Sequence, residues 1–433
     1  MINKLTEKLG FDEKTFFRFF IIVTNSQLIY AFIALKSVLY EPFREVLSVT
    51  NTQLGVLLGI IGFIATFGGA AIGWLQDRFS VRNVLVVNSF MYGGFALIMS
   101  LWPGCPFWLK CIFFISFGFN ADAMYWASVL KSVRTMAKED RQATAFGVME
   151  SMRGMWEFLG NALGSGIFAL FAYTIFGMRV AMSVNSIIII ISGILVLIFI
   201  PNEKNVDEEG NATDTKKAFN GLLRVIRMPE VWMTGIAASC VYATFCAVNT
   251  YFVPYMQHVY LLPVGMVAIF GLVNGSLTRI VCAPISGIVA DAKFKSSAHL
   301  MRACYAALAV LLVIALLIPG KPSMVIPAMI VLLGIAVFCF FIRAVFWSPI
   351  GELGVPTEVG AAAMAVGSFI GYSPSFWAYP LYGWLIDTFE KATAYKIIFV
   401  ILLSFAVIGF TLTTLIGKRI LQRRQRLSEV ATK

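Results

Sequence analysis

Charge is what this chain lacks most. Asp, Glu, Lys and Arg make up 13% of its 433 residues, while hydrophobic residues make up 59%. A soluble domain carries roughly a quarter charged residues, so this chain is not built to meet water on every side. Its seven cysteines form no CxxC pair and show no metal-site spacing, which gives no reason to expect a metal or cofactor. Cys240, Cys246, Cys282, Cys304 and Cys339 fall inside apolar runs and read as small hydrophobes. Cys105 and Cys111 flank an outer-face turn where a disulfide is conceivable. No phosphate-cradling glycine loop with its lysine occurs, so ATP has no binding site. No nucleophile–base pair stands in the apolar segments, which argues against an enzyme. There is no long soluble output segment of the kind a membrane sensor needs. The amino end, MINKLTEKLGFDEKTFFR, lacks the short apolar core of a cleavable signal, and the first apolar stretch is expected to direct insertion. The strict alternation of a lipid-facing β-strand is missing too: Ser186 to Ile200 is continuously apolar.

What the chain has instead is twelve long apolar stretches, near 18–41, 53–76, 83–102, 107–130, 145–171, 179–200, 231–257, 264–289, 299–319, 324–347, 360–385 and 395–417. A helix that crosses a bilayer needs about 20 such residues. The reading is an all-α polytopic membrane protein of twelve transmembrane helices, here called spans 1 to 12. The one long polar segment, Pro201 to Pro229, contains NEKNVDEEGNATDTKK and reads as a flexible linker. It divides the chain into a cytoplasmic amino end (1–17), a six-helix bundle (18–200), a linker (201–230), a second six-helix bundle (231–417) and a basic tail (418–433).

The net charge of +11 is not spread evenly. Lys and Arg collect in alternate loops, as in Arg78 and Arg82, then Lys131, Arg134, Lys138 and Arg141, then Lys293, Lys295 and Arg302. Both ends are basic as well. This is the positive-inside pattern, which puts both termini in the cytoplasm and the protein in a bacterial inner membrane. It also sets aside a nucleic-acid partner. The expected partners are the lipid bilayer, a small solute and protons, with a monomer as the working state.

The two halves repeat. Gly73-Trp74-Leu75-Gln76-Asp77-Arg78 ends span 2, and Gly287-Ile288-Val289-Ala290-Asp291-Ala292-Lys293 ends span 8. Ala123 to Ser128 in span 4 (AMYWAS) parallels Ala344 to Pro349 in span 10 (AVFWSP). Internal repeats with a substrate site at their interface are a transporter trait. The stretch GWLQDRFSVRNVL, residues 73–85, resembles the signature of the major facilitator superfamily after span 2, with a degenerate copy at 287–293. The resemblance extends over the whole chain and implies transport by alternating access. It implies a conformational latch at Gly73, Asp77, Arg78, Arg82 and Asp291; an ordinary solvated turn is the alternative.

An ionised side chain at mid-membrane costs about 2.5–3.5 kcal/mol on the lenient insertion scale, so each one needs a reason. Lys36 stands in span 1, Asp122 in span 4, Arg279 in span 8 and Arg343 in span 10. Glu150, Arg153 and Glu157 stand in span 5 at i, i+3 and i+7 and share one helix face. Arg153 can pair with either carboxylate. Aligning Trp126 with Trp347 puts Asp122 at the position equivalent to Arg343, a candidate gate or coupling pair. Candidate solute contacts are Lys36, Arg153, Arg343, Tyr125, Trp126 and Trp347; candidate coupling groups are Asp122, Glu150 and Glu157. For each set the alternative is structural: ion pairs that only bridge helices, aromatics that only pack, or, for Lys36, a side chain that snorkels to the interface.

Within the superfamily, the amino half is similar to the organophosphate:phosphate antiporters, whose first helix reads Tyr-Leu-Val-Arg-Lys where this one reads Phe32-Ile33-Ala34-Leu35-Lys36. That family clamps phosphate with an arginine on helix 1 and another on helix 7, near a histidine on helix 5. Here Leu35 and Phe245 fall at the two arginines and Arg153 at the histidine. Bidentate phosphate recognition needs guanidinium forks, so this chain departs from the clamp while keeping a cationic character. The expectation is a secondary transporter of a small anionic organic solute, proton- or exchange-coupled. The alternative is a proton-driven exporter of drugs or organic cations that uses the carboxylates.

Overall fold

Span 1 is not the straight rod its apolar run predicts. In the computed structural model, which describes residues 11–76, 79–102, 104–123, 125–136, 142–202, 223–356 and 359–431, it is a helix Glu13–Leu28 and a second piece Ala31–Ser37, bent by 49°. Asp12 caps the first helix by accepting the Thr15 amide at 3.2 Å. At the bend the Tyr30 amide bonds the Gln27 carbonyl at 3.0 Å, a short-range closure that tightens the last turn.

Among the described residues nine helices are long and apolar enough to cross a membrane, and the bent pair of span 1 makes ten. The remaining two of the twelve are spans 5 and 11. Span 5, Gln142–Leu170, is long enough at 29 residues but holds Glu150, Arg153 and Glu157. Span 11 is broken into Gly360–Gly371 and Pro374–Thr388. The apolar outside is as expected for lipid contact: Ile191, Ile198, Ile269, Val310 and Ile330 are all exposed.

The chain forms two compact units, Met1–Glu208 with Pro263–Leu272, and Glu209–Leu262 with Val273–Lys433. Unit 1 packs around one polar hub. Asn25 is fully buried; its amide donates to Ser89 Oγ at 3.0 Å and to Ser192 Oγ at 2.8 Å, and its carbonyl oxygen accepts from the Tyr125 hydroxyl. Spans 1, 3, 4 and 6 therefore meet through hydrogen bonds that lipid cannot replace. Span 4 runs Phe107–Gly118, then a π turn Phe119–Ala123, then Tyr125–Met136. Such a turn inserts one residue into the helix and re-aims the side chains around it.

Unit 2 is organised on span 7, Pro229–Thr250, whose buried face is small: Gly235, Ala237, Ala238, Cys240, Ala243 and Cys246. Small residues let neighbours approach closely, and tyrosines exploit this. Tyr305 donates to the Ala237 carbonyl at 2.5 Å and Tyr382 to the Ala243 carbonyl at 3.4 Å. Span 8 carries two π turns, Val273–Leu277 and Ala290–Phe294. Span 12 continues as one helix, Lys391–Ala431, through the basic tail. Its arginines turn back onto unit 2: Arg419 pairs with Glu230 at 3.1 Å, and Arg423 donates to the Glu352 carbonyl at 2.9 Å.

All seven cysteines are free thiols, so the conceivable Cys105–Cys111 bridge is not made. Cys105 instead directs its thiol at the Pro106 carbonyl, 3.8 Å away, and burial pushes its pKa up, which keeps it protonated and unreactive.

Candidate functional site

The span 5 charges do lie together. Arg153 Nη1 meets Glu150 Oε1 at 2.8 Å, one turn earlier on the same helix. Its guanidinium carbon stands 4.3 Å from the centre of the Trp126 ring on span 4, a cation–π stack. Arg153 is 9% exposed, whereas the Glu150 side chain is 47% exposed. The Nε of Arg153 is buried and has no hydrogen-bond partner. Glu157, two turns along from Glu150, accepts from Gln27 Nε2 of span 1 at 3.5 Å.

Asp122 sits in the π turn of span 4 and is half-buried. Its Oδ1 accepts from the Tyr30 hydroxyl at 3.0 Å, at the bend of span 1. Tyr30 lies within electrostatic reach of both Asp122 and Arg153. A bend and a π turn thus bring the carboxylate toward the guanidinium. A small cleft between spans 1 and 5, with room for about one water molecule, is lined by Gln27, Leu28, Ala31, Ala34, Trp156, Glu157, Gly160 and Asn161.

Two of the expected solute contacts in this unit, Tyr125 and Lys36, are buried. Tyr125 is fully buried, with its hydroxyl committed to Asn25. Lys36 is 5% exposed in a short turn, Leu35–Ser37, so it does not snorkel along an open face. Its neighbour Ser37 accepts from Asn161 of span 5 at 3.4 Å.

In unit 2, Arg343 places its guanidinium carbon 3.7 Å from the Phe245 ring centre and 5.4 Å from that of Tyr242, both on span 7. Its Nε is likewise buried without a partner. Trp347 lies just past the end of its helix, Val325–Val345. Its indole N–H donates to the Tyr372 hydroxyl at 3.3 Å, and its ring packs on Phe346 with centres 4.6 Å apart. Any solute contact through Trp347 is therefore made by its face. The ring also lies against span 11, where a Cβ at Gly371 would fall 2.6 Å from Trp347 Cη2. Gly371→Ala is expected to displace the indole and cost roughly 1–3 kcal/mol from overpacking. Thermal unfolding in detergent checks this; an unchanged midpoint would mean that the ring is not held there.

The latch residues are only partly described. Gly73 is in the helix Asn51–Gln76, and Asp77 and Arg78 lie outside the described residues. Arg82 follows in the first turn of span 3, with a buried and unpartnered Nε. Asp291 is exposed in the second π turn of span 8. No group of three or more His, Cys, Asp or Glu side chains is placed to hold a metal among the described residues.

Reasoning from charge alone overlooked Asn25, Gln27 and Tyr30. A signal was present: Thr24-Asn25-Ser26-Gln27 is a run of four polar residues inside an apolar span, and each needs a partner in hydrocarbon.

Apolar helices that shelter stacked guanidinium groups define a membrane transporter of small molecules, since ionised groups at that depth otherwise find no stable place. The chain belongs to the Major Facilitator Superfamily, to which residues 15–372 match. It has that superfamily's fold of twelve helices in two six-helix bundles, and it is a carrier rather than an enzyme. It is 29% identical over 404 residues to the inner membrane protein YihN of Escherichia coli K12, covering 92% of this chain and 94% of that one. It is 24% identical over 370 residues to the inner membrane protein YqcE of the same organism, covering 84% and 85%. Among solved structures, a bacterial homolog of the human lysosomal transporter Spinster superposes with a TM-score of 0.73 at 13% identity, covering 95% of this chain and 98% of that one. The nucleoside transporter NupG does so with 0.72 at 12%, covering 93% and 99%. At such identities the likeness is one of fold.

Proposed function

We propose that this protein carries a small anionic organic solute by alternating access, driven by co-transported protons or by exchange. The observation that carries the reading is the pair of arginines. Arg153 and Arg343 are each stacked on an aromatic ring, and each keeps a buried Nε without a partner. A guanidinium whose fork is left partly unmet inside an apolar bundle is a site prepared for an anion. The similarity to the organophosphate:phosphate antiporters bears on this only in part. Leu35 and Phe245 stand where that family has its two arginines, yet Arg343 covers the Phe245 ring with a guanidinium brought from span 10. The cationic character is thus kept on a different frame, and phosphate is one candidate anion among several.

In this reading Trp126 and Trp347 shape the walls, Lys36 adds positive potential, and Tyr125 positions span 4 through Asn25. Asp122 carries the proton, and Glu150 and Glu157 exchange partners with Arg153 as the protein changes state. Gly73, Asp77, Arg78, Arg82 and Asp291 act as the latch that favours one state. The named relatives are inner membrane proteins; we place this chain in the same membrane, as a monomer with both termini in the cytoplasm and the bundles divided at residues 201–230.

The test is a thermal-shift screen of the purified protein against sugar phosphates, carboxylates, sulfonates and organic cations, since binding stabilises the folded state by mass action. Radiolabelled flux in proteoliposomes, with and without a pH gradient, follows. Stabilisation by anions, lost in Arg153→Ala, is expected. Stabilisation by cations alone, with Arg153→Ala harmless, would instead establish the cation-exporter reading.

A further inference from the structure

We infer that the basic tail is a brace for unit 2: the last turns of span 12, from Lys418 onward, tie together the chain ends of spans 7, 8, 9 and 10. A tail that only orients the chain on insertion needs positive charge. It needs no particular partners, and these arginines have particular ones.

Arg419, Arg423 and Arg424 fall within about a turn and a half of one another on the helix Lys391–Ala431. Arg419 meets Glu230, at the start of span 7, at 3.1 Å. Arg423 Nη1 donates to the carbonyls of Glu352 at 2.9 Å and Gly351 at 3.4 Å. These residues end the short helix Ser348–Glu352, which follows Trp347 of span 10. Arg424 Nη1 donates to the Lys295 carbonyl at 2.9 Å, just past the π turn Ala290–Phe294 that holds Asp291. Its Nη2 lies 3.8 Å from the Glu352 carboxylate. That carboxylate also accepts from Ser296 Oγ at 2.5 Å and from the Ser297 amide at 2.8 Å, and so caps the start of span 9, Ser297–Leu317.

The turn that receives Arg423 is shaped for it. The helix Ser348–Glu352 closes on itself through two bonds: the Val355 amide to the Ile350 carbonyl at 3.3 Å, and the Gly354 amide to the Gly351 carbonyl at 3.0 Å. Gly354 holds φ at +79°, a left-handed value that suits glycine. The Glu352 carbonyl is outside this closure, and the residue four along is Pro356, which has no N–H to offer it. Arg423 supplies the donor instead. Its guanidinium lies over Gly354, where an added Cβ would run into Arg423 Cζ. One glycine therefore serves both the turn and the arginine. Exposed contacts of this kind contribute little singly; here one helix carries all three arginines, so they act together. Carriers built from two bundles alternate access largely by rocking one bundle against the other as rigid bodies, and a brace of this kind keeps unit 2 one body. It is independent of which solute is carried, so its test leaves the anion reading untouched.

Hydrogen exchange of the purified full-length protein, read by mass spectrometry, tests the brace. In Arg423→Ala the amides of residues 350–355 should exchange about tenfold faster, and in Arg424→Ala those of 294–300, the scale of one hydrogen bond to a charged group. Arg426→Ala, exposed on the same helix, should change neither. A double-variant cycle makes the test specific to the seated arginine. Gly354→Ala strains the backbone in any background, but its clash exists only while Arg423 lies over it. Its drop in unfolding midpoint should therefore be smaller in the Arg423→Ala background than in the wild type. An equal drop in both backgrounds would overturn the brace. So would exchange at 350–355 and 294–300 that stays at the wild-type rate in the two arginine variants, which would reduce the tail to an orienting charge.

Discussion

Arg153→Ala will lower solute flux by two orders of magnitude or more and leave the protein folded. The two outcomes separate because of where the side chain sits. Arg153 is 9% exposed and stacked on Trp126, so an anion bound there would meet its guanidinium with little water between them. Hydrogen bonds to charged groups contribute about 1.5–3 kcal/mol each. Losing two of them is worth about 3–6 kcal/mol, and each 1.4 kcal/mol is tenfold. The partner left behind, Glu150, is 47% exposed and can be hydrated, so the lost ion pair costs stability no more than about 1 kcal/mol. Arg153→Lys keeps the charge and loses the fork and the flat stacking face, so it should recover only a small share of the flux. Counterflow in proteoliposomes and a melting curve are the two readouts. Undiminished counterflow in Arg153→Ala would reduce the helix 5 charges to a structural ion pair.

Asp122→Asn will abolish concentrative transport while exchange continues. The substitution leaves the shape of the site alone, because the Tyr30 hydroxyl, 3.0 Å away, can donate to an amide oxygen as it does to a carboxylate. What is lost is the ability to take up and release a proton. One co-transported proton can hold roughly a tenfold accumulation per pH unit, since one unit is worth about 1.36 kcal/mol. Under an imposed gradient the variant should reach only equal concentrations on both sides, with counterflow near wild-type rates. If it still accumulates solute, coupling lies with Glu150 or Glu157, or the carrier is an exchanger.

The span count was legible because hydrocarbon makes a coarse demand: about 20 apolar residues, whatever the neighbours. The ion pair of Glu150 with Arg153 was legible for a similar reason, since three residues apart on a helix is a local relation. The bend of span 1 was not. No glycine or proline marks Leu28-Ile29-Tyr30, and the break accompanies bonds from Asn25 and Tyr30 to other spans. The π turn at Asp122 was hidden in the same way. Nor did hydropathy single out Gln27, because one amide side chain hardly alters a window of eighteen residues. Tyr125 was not placed by the sequence either: it stands beside Trp126, but consecutive helical residues point to different faces, and its hydroxyl turns inward to Asn25.

The central claim is that the costly charges of spans 4 and 5 border water and solute rather than lipid. Single cysteines at Trp126 and Glu157, in a background with all seven native cysteines replaced, test it directly, with Ile191→Cys on the exposed apolar outside as the control. A membrane-impermeant, water-soluble thiol reagent should label positions 126 and 157 and leave 191 untouched, and a bound anion should slow the labelling at 126. Labelling at 126 and 157 as low as at 191, with or without anion, would mean that these charges are sealed away from any aqueous path, and the account would fail.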